Sequence, residues 1–170
     1  VLALAGEAPP TGDWDKGPVD GSTSLGMLGR VSLGFSGESI AASSNDITNS
    51  ELRNAGADAM FDTGDDQLYT LVSPGYSSGI SVSYLIGDGP LQPGNYRFTA
   101  RTGLQDRNGH GLAANYVRRF TVANVTGFIF ENRNNNSAAT ATSLSVNPTH
   151  SPDGSFTIGA TTNVGQNPYF

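Results

Sequence analysis

Between Gly79 and Val122 apolar side chains fall on every second position: Ile80, Val82, Tyr84 and Ile86 alternate with Ser81, Ser83 and Leu85, and Tyr96 and Phe98 resume the beat. Period two is the spacing of a strand with one face packed and the other wet, and it rules out a helix over the same residues. Val117, Phe120 and Val122 close the set. The breaks between these runs are turn formers. Gly87-Asp88-Gly89-Pro90 interrupts the first, Pro93-Gly94 supplies a preset φ followed by a permissive one, and Asp106-Arg107-Asn108-Gly109 bends the chain through side-chain-to-backbone hydrogen bonds. The stretch predicts three strands in an antiparallel meander.

The same signal extends upstream. Val31, Leu33 and Phe35 form an inner face, while Leu68, Thr70 and Val72 alternate with Tyr69 and Leu71, which predicts a central strand apolar on both sides. The expected core is Val31, Leu33, Phe35, Leu68, Val82, Tyr84, Tyr96, Phe98 and Phe120. Only 14% of the 170 residues are charged, and 22 are glycine, a balance that suits short strands and many turns. The net charge of -6 argues against a nucleic-acid partner, since phosphates need clustered cations and Arg118-Arg119 is the one adjacent basic pair. No apolar run approaches the ~20 residues of a membrane span, so no membrane insertion is expected. With no cysteine there is neither a disulfide nor a thiolate metal site.

Two resemblances sit on these residues. Gly89-Pro90-Leu91-Gln92-Pro93-Gly94-Asn95-Tyr96-Arg97-Phe98-Thr99, then Leu104 to Gly109, then Phe120-Thr121-Val122, resemble the closing half of the bacterial Ig-like domains of surface-layer and other large secreted proteins. Arg30 to Ile40 is similar to that family's early strand, with Gly37 inserted before the acidic residue and no proline after it. The resemblance implies an Ig-like antiparallel β-sandwich over residues 1–124, with its core in about 18–124. It also implies an extracellular or cell-surface location. Beyond it, Thr126 to Leu144 resembles the opening of the bacterial pre-peptidase C-terminal domain, and Gln166-Asn167-Pro168-Tyr169-Phe170 stands where that family's later strand starts, without its two acids. Residues 125–170 are therefore expected to form a partial second β module.

One acidic segment has ligand-like spacing, Gly56-Ala57-Asp58-Ala59-Met60-Phe61-Asp62-Thr63-Gly64-Asp65-Asp66. Calcium takes six to eight hard oxygens, and Asp58, Asp62, Asp65 and Asp66 around a glycine turn offer several. The twelve-residue EF-hand pattern is absent. The competing reading is a hairpin whose tip is polar because turns are. The Ig-like family carries Gly-x-Asp-Gly-x-Phe-Gly-Thr-x-Asp-Asp here, and this chain has Ala59 and Asp62 in place of two of the glycines.

No catalytic constellation is legible. His110 and His150 lie in turn-rich segments without a paired acid and nucleophile, and adjacent turn aspartates do not make a glycosidase pair. The chain reads as a non-catalytic structural or adhesive module, a repeat or subunit of an extracellular filament or matrix. The rival readings are a carbohydrate-binding module stacking sugars on Trp14, Tyr76 or Tyr116, and an accessory domain of a secreted hydrolase. Self-association also has a sequence basis. Placing Phe170 of one copy before Val1 of the next gives Tyr-Phe-Val-Leu-Ala-Leu-Ala-Gly-Glu, an uninterrupted strand, so tandem repeats or head-to-tail strand sharing are expected. The bland counterpart is a tail folded back on its own sandwich.

Overall fold

A computed structural model describes residues 18–73, 75–124, 128–130, 133, 137–139, 141–142 and 157–159. Its elements in chain order are β1 Ser22–Ser24, β2 Arg30–Gly34, the short helix α1 Ala41–Asn45, a 3-10 turn Ile47–Asn49, and β3 Ser50–Asn54. Then come β4 Gln67–Tyr69, β5 Leu71–Val72, β6 Ser81–Ile86, β7 Gly94–Ala100, β8 Tyr116–Val122, β9 Phe128–Phe130 and β10 Thr157–Gly159. They form a five-stranded sheet in the order β1-β8-β7-β3-β4, a three-stranded sheet in the order β2-β6-β5, and the pair β10-β9. The architecture is the expected antiparallel β-sandwich.

Alternation builds the core. Leu52, Tyr69, Tyr96, Phe98, Phe120 and Val122 from the larger sheet face Val31, Leu33, Leu71, Val82, Tyr84 and Ile86 from the smaller, and all are buried. Tyr96 stacks on Phe120 with ring centroids 5.4 Å apart and meets Tyr69 edge-on at 5.6 Å. The two tyrosine hydroxyls lie 3.2 Å apart, and that of Tyr96 also donates to the Gln92 carbonyl at 2.7 Å, so the buried phenols keep partners.

Three expectations are corrected. The Gly79–Val122 stretch is not one meander. β6 pairs with β2 and β5 in the small sheet, and the segment after Ile86, anchored by the fully buried Leu91, carries the chain across the core to β7 in the large one. Within that stretch only β7 and β8 pair directly. The run 68–72 is not a central strand either. It splits at Thr70 into β4, the edge of the large sheet, and β5, an edge of the small one. The Thr70 amide leaves the ladders to donate to Asp88 Oδ1 at 2.8 Å. The inward residues are consequently Tyr69 and Leu71, and Leu68, expected in the core, is 53% exposed on the outer face. Ile80 is likewise exposed, because β6 starts one residue after it, and Val117 points outward from β8.

In the segment after the sandwich β9 and β10 pair in parallel, so the two apolar runs expected to carry an open edge meet each other. Arg133 reaches back to the sandwich. Its Nε donates to Asp88 Oδ2 at 2.9 Å, another guanidinium nitrogen donates to the Leu68 carbonyl, and its Cζ lies 4.1 Å from the centre of the Tyr69 ring. The contact spans the boundary expected at residue 124. Val1 to Ala5, His150 and Gln166 to Phe170 lie outside the described residues.

Candidate functional site

The outer face of the large sheet carries the most concentrated chemistry in the described residues. Register sets Arg53 opposite Arg97 and Arg97 opposite Arg119, one arginine on each of β3, β7 and β8. Adjacent strands are about 4.8 Å apart, and like charges directly opposite one another destabilise a sheet. Such a row needs counter-charges. The loop between β3 and β4 brings them.

That loop is built from its backbone outward. Asn54, buried at the end of β3, accepts from the Gly56 amide at 2.9 Å. Gly56 turns at a φ of +66°, and Asp65 lies so close over it that a Cβ there would collide with the carboxylate. Asp65 Oδ2 accepts from the amides of Ala57 and Asp58 at 2.7 and 3.2 Å, and its Oδ1 accepts from the Thr63 hydroxyl at 2.8 Å. Asp58 Oδ1 accepts from the Met60 amide at 2.8 Å. Two non-glycine residues take left-handed backbone, Ala59 at φ 57° and Asp62 at φ 69°. These are the two positions where the pattern of the resembled Ig-like family has glycine.

The loop's last carboxylates reach the sheet. Asp62 receives Arg97 in a two-pronged pair, Nη1 to Oδ2 at 2.8 Å and Nη2 to Oδ1 at 2.6 Å. Phe61 lies 4.9 Å under the same guanidinium, whose Nε is buried without a partner among the described residues. Asp66 accepts from Arg53 Nη1 at 3.0 Å and from the Asp62 amide at 2.8 Å. Glu51 closes the network on Arg53 Nε and Arg101 Nη2 at 2.9 and 2.7 Å. Arg119 makes no ion pair among the described residues; its backbone N–H donates to Asp20 Oδ1 at 2.6 Å.

Ion pairs and hydrogen bonds set the titration of these acids. The Arg97 hydrogen bond holds the Asp62 carboxyl below the usual aspartate value, and the Thr63 hydroxyl does the same for Asp65, helped by the two amides. For Asp66 and Glu51 burial opposes ionisation. Burial is the largest single influence, but the Arg53 hydrogen bond and charge, joined by the Asp62 amide at Asp66 and by Arg101 at Glu51, together outweigh it, so both carboxyls lie below their usual values. Asp62 raises the affinity of Arg97 for its proton in return.

The four aspartates expected around calcium are thus gathered in one loop. Asp65 faces amides, Asp62 and Asp66 face arginines, and no group of three acids or imidazoles among the described residues could hold a metal ion. A cation there would compete with two guanidinium groups and with the amides on Asp65. Of the three aromatics expected to stack sugars, Trp14 lies outside the described residues. Tyr76 is a core residue: it is 8% exposed, its amide donates to Asn45 Oδ1 at 2.7 Å and its hydroxyl to the Gly79 carbonyl at 2.5 Å, so its ring is closed to a ligand. Tyr116 is half-buried, with the Arg118 guanidinium 5.5 Å over its ring. His110 sits 3.3 Å from Asp106 in an exposed turn. The arginine row has one legible trace in the sequence, the outward parity of Arg97 between Tyr96 and Phe98.

No family model matches the chain, and no curated protein matches it. Fold and surface define a β-sandwich with a braced, arginine-bearing outer face. Two solved structures align with the chain at low identity. The copper resistance protein PcoC of Escherichia coli aligns with a TM-score of 0.41 and 19% identity, over 61% of this chain and 90% of that one. Domains 1–6 of the surface layer protein SbsC align with a TM-score of 0.42 and 13% identity, over 69% of this chain and 16% of that one. This chain therefore spans about a sixth of the SbsC structure.

Proposed function

We propose that the chain is a non-catalytic structural module of a secreted or cell-surface protein, built to transmit tension along the polypeptide. The observation that supports this reading is the parallel pairing of β1 with β8, Ser22 opposite Phe120 through Ser24 opposite Val122. The chain runs into β1 and out of β8 in the same direction. Pulling on both ends therefore loads the ladder in shear, with its hydrogen bonds strained together, whereas an antiparallel terminal pair would open one bond at a time. The ladder is reinforced at both ends, by the Gly21 amide on the Arg119 carbonyl at 2.6 Å and the Ala123 amide on the Ser24 carbonyl at 2.9 Å. The loops are braced as well. Glu38 pairs with Arg107, Asp62 with Arg97, Asp66 with Arg53 and Asp88 with Arg133. The resemblance to secreted Ig-like domains supports the extracellular setting.

Single-molecule stretching of the chain between marker domains tests the reading. The Ser24 carbonyl faces β8, so its N–H does too, and Ser24→Pro removes that donor. The parent should unfold in one high-force event and the variant at much lower force. A parent that yields at the same force as the variant would overturn the proposal.

A further inference from the structure

The arginine row has one member, Arg119, that is exposed and unpaired among the described residues, and a neighbour, Arg97, whose counter-ion stands in solvent. The Asp62 side chain is 67% exposed, and its carboxylate grips the guanidinium in the geometry that a free carboxylate ligand would take. We propose that this face docks a polyuronate, a polysaccharide with a carboxylate on each sugar ring, across β8 and β7, and that Asp62 is an internal competitor for the Arg97 end of the site. The proposal rests on the extracellular reading above and names the partner of that surface.

Two observations favour a polyuronate over an acidic peptide. The row runs across the strands with a step of about 4.8 Å, whereas same-side residues of an extended peptide repeat at about 6.8 Å. A sugar ring with one carboxylate is about as wide as one such step. Around the arginines the outer face offers neutral hydrogen-bonding groups for ring hydroxyls, Asn95, Thr99 and Thr121, of which the last donates to Asn95 Oδ1 at 3.0 Å. The internal ligand is itself a carboxylate, which favours a carboxylate over a sulfate ligand. Binding asks Asp62 alone to turn away, because Asp66 on Arg53 and Asp65 on the Ala57 and Asp58 amides continue to hold the loop. With a chain of net charge -6, the contact is weak and falls with salt.

The test is retention of the whole chain on immobilised polygalacturonate, with poly-glutamate and dextran sulfate columns alongside, and thermal melts to show that each variant is folded. Asp62→Asn keeps a residue that tolerates left-handed backbone while freeing Arg97. It should strengthen retention on polygalacturonate about tenfold, the worth of one charge-assisted pair. Asp58→Asn removes the same charge from the same loop without touching an arginine and should leave retention near the parent's. Arg119→Glu should abolish it. Equal gains from Asp58→Asn and Asp62→Asn would reduce the effect to mean charge and overturn the proposal. So would no retention of the parent and Asp62→Asn, or stronger retention on poly-glutamate or dextran sulfate. Any of these outcomes leaves the stretching result untouched, so the two readings fail separately.

Discussion

Arg97 and Asp62, 35 residues apart, meet through two parallel hydrogen bonds, and the pair fastens a loop whose backbone is left-handed at the same aspartate. The ion pair and the strained turn lie at one residue. A glycine there would relax the backbone and lose the clasp, which gives a physical reason for aspartate where the resembled family has glycine.

Ala59 has the strain without the compensation. Its φ of 57° costs an L-residue roughly 1 kcal/mol, and its side chain makes no hydrogen bond in return. Ala59→Gly should therefore raise stability by up to about 1 kcal/mol, less what the glycine gains in unfolded-chain freedom. Asp62→Gly should bring no such gain. Denaturant midpoints of the two variants decide this, and an Ala59→Gly variant less stable than the parent would show that the loop does not hold that backbone.

Acid should loosen the loop before the core. Asp62, Asp65 and Asp66 all ionise more readily when folded than at the ordinary value of 3.8, so their contribution is fully present above that value and is lost as pH falls through their lower folded values. The melting midpoint should hold above pH 5 and fall below about pH 4. The acid limb should be shallower in Asp62→Asn, which has one such group fewer. Superimposable acid limbs would remove the Asp62–Arg97 pair from the account.

The two faces of the large sheet predict opposite outcomes for two apolar side chains. Phe98 is fully buried, and Phe98→Ala should cost about 3 to 5 kcal/mol. Leu68 is on the outer face, and Leu68→Ala should stay within about 0.5 kcal/mol. Urea midpoints of the two variants check the assignment, and a large loss at Leu68 would put that residue back in the core.

Local alternation determined much of this protein by itself: the all-β class, the inward faces of β2, β6 and β7, and the turns at Gly87-Asp88 and Asp106 to Gly109, although Pro93-Gly94, expected to turn, leads straight into β7. Those features depend on a residue and its near neighbours, because a pleated strand turns successive side chains to opposite sides. Which sheet each strand joins was decided only in three dimensions. Leu68 and Leu71 lie on one unbroken apolar run, yet the chain leaves one sheet for the other at Thr70, where Asp88 from a distant turn takes the amide. The acidic loop shows the same division. Its carboxylates and glycines were plain in the sequence, but their partners Arg53 and Arg97 come from two strands set in register by the ladder between them. Pairing across strands is a long-range choice, and spacing along the chain carries no record of it.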